Sequence, residues 1–263
     1  MKSKFSIVTV KPNLASLATA FTATDLLFDW TPIEIPRGGC SLETLQMHYA
    51  GTEGAAQTPK DIELIFAKSV NGVAPPSLGT PNNKLSDGDT LTAALTQAAR
   101  PHIIAYKFVD VSNMVDIGVD LVAYNLLGSD SDKPNPKLNI LIEGAQTDYL
   151  STKGPGYQTI WMAGIANEGS EDFGTGVIVD NGAGYSVGDT VINCDGVAGD
   201  IVFAPGDELI AQDGALVGTL KSVADDGSHT TLTLESPGLI AAIADGDEIC
   251  NRQPITFVIG LEY

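Results

Sequence analysis

The chain has 263 residues, 43% hydrophobic and 18% charged, so it can bury a core large enough to fold. Its 33 acidic residues outnumber 14 lysines and arginines and give a formal net charge of -19, which repels a phosphate backbone and excludes nucleic acid as an expected partner. No stretch approaches the roughly 20 apolar residues of a membrane-spanning helix, so we expect no membrane partner.

Seven runs rich in β-branched and aromatic residues, each bounded by Gly, Pro, Asn or Asp, predict β-strands. They cover residues 5–10, 61–69, 102–111, 119–128, 138–145, 159–167 and 255–263. The first run alternates polar and apolar residues, which favours a strand over a signal peptide. Two short helices are predicted, at 13–21 with Asn13 as the N-cap and at 89–99 with Asp89 as the N-cap. The 28 glycines and 14 prolines, spread without a period, favour an all-β chain.

The negative charge is concentrated in one segment of the chain. Between Ile165 and Glu248 there are 16 acidic residues and one base, Lys221, whereas the rest of the chain holds 17 acids and 13 bases. The same segment contains 14 of the 28 glycines. A composition shift of this size indicates a domain boundary. We therefore predict a β-sandwich anchoring domain at 1–167 plus 252–263, and an acidic inserted β-barrel-like domain at 168–251.

Short strand patterns follow one another inside the inserted segment. They are separated by Asp-Gly pairs at 195–196, 213–214 and 226–227, and Asp-Gly favours the positive φ angles of a tight hairpin turn. The runs 159–167 and 255–263 flank the segment and are expected to be neighbouring strands. The predicted fold class is all-β, an antiparallel, jelly-roll-like β-sandwich with a small inserted β-barrel domain.

Three stretches resemble parts of bacteriophage virion proteins. Residues 176–190 resemble a GxGYxxGD repeat unit of phage tail and adhesin-like proteins, formed here by Gly182, Gly184, Tyr185, Gly188 and Asp189. Residues 203–249, with the patterns GDxI, DGxxxGTxxSV, TLTL and DGDE, are similar to β-modules of phage structural proteins. Residues 35–79 are similar to proteins encoded among virion genes of tailed phages. The resemblance implies a tailed-bacteriophage virion structural protein, capsid decoration or cement-like, with phage-type β-modules.

The resemblance also implies partners and a location. It implies contact with the major capsid protein or neighbouring virion proteins, on the outer capsid surface, after synthesis in the host cytoplasm. Decoration proteins often occupy threefold positions, so it favours a homo-oligomer and in particular a trimer. Two alternatives stay open: a tail, baseplate or fibre component, and a carbohydrate-binding module that recognises a glycan through aromatic platforms.

Patterns of catalytic or metal sites do not stand out in the sequence. The three histidines are His48, His102 and His229, and none has a second His or Cys at the spacing of metal ligands. The three cysteines are Cys40, Cys194 and Cys250. They are too far apart in the sequence for a disulfide scaffold, and we expect them to be buried thiols. No HExxH pair or P-loop occurs. We therefore predict a non-enzymatic protein with no catalytic, cofactor-binding or metal-binding residues and no cofactor.

Two acidic clusters and two tryptophans need an interpretation. The clusters Ser129–Asp132 and Asp245–Glu248 lack the ligand spacing of a calcium-binding EF-hand loop, so we interpret them as solvated turns. Trp161 lies between two apolar residues and is interpreted as a core residue. Trp30 fits either a core position or an interface anchor.

Overall fold

The structure is a computed structural model. It describes residues 4–14, 20–37, 40–50, 60–79, 98–110, 114–118, 121–125, 129–130, 133–134, 140–142, 154, 156–167, 173, 176–195, 202–211 and 214–263. Within these ranges, no helix is long and apolar enough to cross a membrane.

The regular structure of the described residues consists mainly of strands. The strands before residue 168 are β1 (Phe5–Val10), β2 (Leu26–Pro36), β3 (Cys40–Ala50), β4 (Ile62–Lys68), β5 (Ile103–Val109), β6 (Met114–Gly118), β7 (Leu121–Asn125), β8 (Ser129–Asp130), β9 (Lys133–Pro134), β10 (Ile140–Ile142) and β11 (Tyr157–Ala166). The later strands are β12 (Gly176–Val179), β13 (Val191–Asp195), β14 (Glu208–Ala211), β15 (Leu216–Asp225), β16 (His229–Leu234), β17 (Glu248–Asn251) and β18 (Ile255–Glu262).

Two antiparallel sheets form a sandwich with jelly-roll topology. One sheet has the order β1-β18-β3-β7-β6, with β10 also paired to β3, and the other has the order β2-β11-β4-β5. When β6, β8, β9 and β10 are set aside, the remaining eight sandwich strands pair first with last, second with seventh, third with sixth and fourth with fifth. This is the pairing of one long hairpin rolled into two sheets, as in a jelly roll. The predicted fold class is confirmed.

The sandwich core lies between the two sheets. Strand β18 shows how the sequence specifies its buried face, because Ile255, Phe257, Ile259 and Leu261 are buried while the residues between them are half-buried. The ring of Phe257 lies 5.9 Å from the ring of Phe28 on the opposite sheet. Period-two alternation in the sequence therefore fixes which side of β18 faces the core.

The structure corrects the expected pairing of the two strands that flank the acidic segment. Strand β11 pairs with β2 and β4, whereas β18 pairs with β1 and β3 in the other sheet. The prediction that 159–167 and 255–263 are neighbouring strands is therefore wrong. Both runs are apolar because they face the same core from opposite sheets.

Strand β2 lies outside the predicted strands, and it contains Pro32 and Pro36. A proline has no N–H to donate and is excluded from the middle of a sheet, but it is tolerated on an edge strand. Among the described residues, strand β2 is the edge of its sheet and pairs with β11, where Pro32 lies opposite Trp161. The tertiary position of the strand therefore allows a sequence that argues locally against a strand.

The two predicted helices have different outcomes. At the ends of the 13–21 range, residues 13–14 and 20–21 are not helical. The prediction at 89–99 falls almost entirely outside the described residues.

Strands β12 to β17 close a second structure, a six-stranded antiparallel barrel in the order β12-β13-β16-β15-β14-β17. The barrel has its own buried cluster, which includes Ile192, Leu209, Leu220, Leu232 and Ile249. It lies in the chain between β11 and β18, the seventh and eighth strands of the jelly roll. The domain boundaries at 167/168 and 251/252 stay a prediction.

Candidate functional site at the sandwich–barrel junction

Three turns of the barrel share one design in which an aspartate closes a four-residue loop. The carboxylate Oδ2 of each aspartate accepts a hydrogen bond from the backbone N–H three residues earlier, in the pairs Ser186–Asp189, Ala204–Asp207 and Ala244–Asp247. The residue before each aspartate is a glycine with positive φ, between 83° and 96°. Many of the acidic residues of the barrel are therefore structural parts of its turns.

The GxGYxxGD stretch also has a structural role. A side chain at Gly184 would meet the carbonyl oxygen of Ile243 at 2.5 Å, so glycine is required there. The next residue, Tyr185, accepts a hydrogen bond at its hydroxyl oxygen from the backbone N–H of Asn193 on β13. This stretch joins two parts of the barrel.

The acidic cluster Asp245–Glu248 is a turn in the structure. The Oδ1 of Asp245 accepts a hydrogen bond from the backbone N–H of Asn181, and Asp247 closes the turn described above. The other cluster, Ser129–Asp132, is described only in part, as strand β8 at residues 129 and 130.

Among the described residues, one group of possible metal ligands forms by cross-strand pairing. Asp180, Asp195 and His229 each offer one ligand atom, and these atoms lie within 4.8 Å of one another. The His229 Nε2 is 3.9 Å from an oxygen of Asp195, whereas two ligands of one tetrahedral zinc ion lie about 3.4 Å apart. The His229 Nδ1 lies 3.8 Å from Asp226, whose pKa is lowered by hydrogen bonds from the backbone N–H groups of His229 and Ser228. All three potential ligands are exposed, so the group is a wide, solvated cluster.

The cysteines are buried thiols, as predicted. Burial raises the pKa of the Cys40 thiol to about 11. Burial, with a smaller contribution from Asp195 and Asp180, raises the pKa of Cys194 to about 12. These thiols are therefore not nucleophiles near neutral pH.

The barrel is joined to the sandwich through Asp207, whose side chain is only 6% exposed. Its Oδ2 accepts hydrogen bonds from the Ala204 backbone N–H at 2.9 Å and from the Asn251 amide at 2.7 Å. Its Oδ1 lies 3.3 Å from the Nζ of Lys11, which follows β1 of the sandwich. A buried carboxylate with these partners is stabilised by both hydrogen bonds and charge.

A second ion pair and apolar contacts complete the junction. The Nη1 of Arg252 donates to the Oε2 of Glu208 at 2.7 Å, and its backbone carbonyl accepts from the N–H of Leu14 at 2.8 Å. Two residues paired on β14 and β17, Ile210 and Cys250, pack in the sandwich core and not in the barrel core. The two structures therefore share apolar as well as charged contacts.

An open cleft of about 480 Å³ lies beside this junction. We call it the Trp30 cleft, and it is lined by Thr9, Val10, Lys11, Asn13, Asp29, Trp30, Thr31, Pro32 and Gln253. Its volume lies within the range of small-molecule pockets. The sequence placed Trp30 at a core or interface position, but gave no sign that it would meet residues from the two ends of the chain.

The side chains of Asp29 and Trp30 are held in place around the cleft. The indole Nε1–H of Trp30 donates to the carbonyl of Pro76 at 2.8 Å. The Asp29 carboxylate accepts hydrogen bonds from the Trp30 backbone N–H, the Leu78 backbone N–H and the Ser77 hydroxyl. Trp161, the other tryptophan, is only 7% exposed, as the sequence indicated.

Strand β1 carries exposed apolar side chains near its start. Phe5 is 71% exposed and Ile7 is 74% exposed, and both line a hollow of about 370 Å³ beside Gly260 on β18. We call this surface the β1 face.

No protein-family model and no curated protein sequence matches the chain. Among solved structures, the chain is similar to the infectious bursal disease virus VP2 subviral particle, at 8% sequence identity and a TM-score of 0.25. The match covers 99% of this chain and 41% of the VP2 chain, so this chain spans less than half the length of that protein. At this TM-score the match does not establish a common topology, and the jelly-roll assignment rests on the strand order alone.

Proposed function

We propose that this chain is a non-enzymatic virion structural protein, a capsid decoration or cement protein on the outer surface of a tailed-phage head. The observation that carries the proposal is a jelly-roll sandwich joined to a strongly acidic barrel. Jelly rolls are common in viral capsid proteins, although a fold alone does not fix a function. The sequence resemblance of 176–190 and 203–249 to phage virion modules supports the same assignment.

The charge distribution supports a barrel that points into solvent. Residues 176–251 contain 13 acidic residues and one base, whereas the rest of the chain contains 20 acids and 13 bases. Burying the barrel surface against a shell would desolvate many carboxylates with few bases to pair them. A projecting acidic module also keeps a densely repeated surface soluble.

The sandwich then provides the attachment surface. We propose that the β1 face, with Phe5 and Ile7 at its centre, contacts the major capsid protein. These side chains are on the sandwich, and burying two large apolar side chains contributes about 3–6 kcal/mol before association costs. We also propose a homo-oligomer, with a trimer matching threefold positions of a shell.

The test uses particles that lack the protein, to which purified chain is added back. We expect the double variant Phe5→Ser/Ile7→Ser to fold but to lose binding, because the apolar contact is removed. Val187→Ser is the matched control, since Val187 is 65% exposed but lies on the barrel. Loss of binding in the control with retention in the double variant would mean that the barrel attaches.

Copy number separates this proposal from a tail, baseplate or fibre component built from the same modules. A protein that repeats with the shell lattice is present in on the order of hundreds of copies per particle, whereas a tail component is present in about a dozen or fewer. Quantitative mass spectrometry of whole particles measures this number. A count near a dozen would replace the head assignment with the tail assignment.

A further inference from the structure

We propose that the Trp30 cleft binds a neutral pyranose sugar, presented as the end of a glycan. This inference goes beyond the structural role proposed above and concerns a different surface from the β1 face. It rests on three properties of the cleft: a fixed aromatic wall, polar groups with unused hydrogen-bonding capacity, and balanced charge.

The aromatic wall is the side chain of Trp30. It is partly buried and packs against the apolar cluster that includes Leu78 and Ile165 on the outer side of the second sheet. The hydrogen bond from its Nε1 to Pro76 fixes the orientation of the ring. The part of the indole that lines the cleft is therefore a rigid apolar surface, against which the C–H face of a pyranose ring can pack at low entropic cost.

The polar groups come from the two ends of the chain. The Oδ1 of Asn13 accepts a hydrogen bond from the Nε2 of Gln253 at 2.7 Å. This bond leaves the NH2 group of Asn13 and the side-chain carbonyl of Gln253 without a partner in the part of the chain that the structure describes. One group donates and the other accepts, which matches a sugar hydroxyl that does both.

Charge balance selects a neutral ligand. The ammonium of Lys11 is already close to Asp207, and the Asp29 carboxylate is held by three donors. An anion would meet Asp29, and a cation would meet Lys11. A purely apolar ligand would cover Asn13 and Gln253 and leave their polar atoms without water or a partner, which is unfavourable.

The experiment records the two indole N–H signals of the 15N-labelled chain by NMR while methyl glycosides are added. The probes are the methyl glycosides of glucose, galactose, mannose and N-acetylglucosamine, followed by an array of neutral oligosaccharides. We expect one probe to shift the Trp30 signal with a Kd on the order of 1 mM, as suits a single open site, while the Trp161 signal stays in place. Absence of binding to every methyl glycoside and every array glycan would overturn the proposal.

Variants locate the binding. Trp30→Ala removes the aromatic wall, and Asn13→Ala removes a polar group while leaving the packing of Trp30 intact, so the second variant stays informative if the first is unfolded. We expect Asn13→Ala to weaken binding at least tenfold. Tyr106→Ala is the matched control, because Tyr106 is an exposed aromatic outside the cleft. Unchanged binding in Asn13→Ala, or equal loss in Tyr106→Ala, would place the sugar elsewhere and reject this site.

The outcome is independent of the attachment test. Sugar binding is measured on the isolated chain, whereas attachment is measured on particles. A chain that binds sugar but not particles would refute the decoration role and support the sugar site in the Trp30 cleft. A chain that binds particles but no sugar would refute the sugar site alone.

Discussion

Removing the carboxylate of Asp207 should destabilise the whole protein. In Asp207→Ala, the Ala204 N–H and the Asn251 amide each lose a short, charge-assisted hydrogen bond in a buried position. Each such bond contributes about 1.5 kcal/mol. The Lys11 contact, at 3.3 Å from a half-exposed lysine, contributes at most about 1 kcal/mol. The expected loss in the free energy of unfolding is therefore about 3–4 kcal/mol.

Thermal and urea unfolding followed by circular dichroism measure this loss. A change of this size lowers the Tm by roughly 6–16 °C in a chain of this length. The matched control is Asp189→Ala, which removes the same turn-closing bond, to Ser186, at an exposed position. We expect the control to lose about 1 kcal/mol. Lys11→Ala should also lose about 1 kcal/mol or less.

Equal losses in Asp207→Ala and Asp189→Ala would refute the reasoning, because they would show that burial at the junction adds nothing to the turn. A loss in Lys11→Ala as large as that in Asp207→Ala would also refute it. In that case the ion pair, and not the hydrogen bonds to Ala204 and Asn251, would stabilise the carboxylate.

Further predictions concern a glycine, the buried thiols and metal. Gly238→Ala should cost roughly 2–5 kcal/mol in urea unfolding, since φ is +91° and a Cβ would meet two backbone oxygens at 2.6 and 2.7 Å. The control Gly227→Ala, at φ +85° with nothing within 4 Å, should cost about 1–2 kcal/mol, and equal losses would contradict the steric argument. Because burial raises the pKa values of Cys40 and Cys194, these thiols lose their protons at a lower pH in the unfolded chain than in the folded chain. The contribution of the protonated thiols to the free energy of unfolding is therefore full below pH 9 and declines towards pH 11 to 12. A Cys40→Ala/Cys194→Ala double variant should show a shallower fall of Tm over this range, and an identical fall would count against burial of the thiols. Elemental analysis should find no stoichiometric zinc, iron or copper, because the cluster around His229 is wide and exposed. Chelator treatment should leave the Tm nearly unchanged, and a drop of many degrees would reveal a calcium site.

The sequence by itself determined the local features of this protein. Period-two alternation identified β1, and runs of β-branched and aromatic residues identified β4, β11 and β18, because strand propensity is a property of residues that are neighbours in the sequence. Asp-Gly pairs marked two hairpin turns of the barrel, where Gly214 and Gly227 have the positive φ that such turns require. The uneven charge marked the acidic segment that contains the closed barrel.

The tertiary structure alone decided which elements meet. Strands β11 and β18 have similar patterns but lie in different sheets, and β2 tolerates its prolines because it lies at an edge. The Trp30 cleft joins Asn13 to Gln253 across 240 positions of sequence, and Asp207 meets Lys11 across 196. Such contacts depend on how the whole chain packs its core, because burial and register decide which distant strands pair. The residues that meet in this way carry no local sequence pattern that marks the contact.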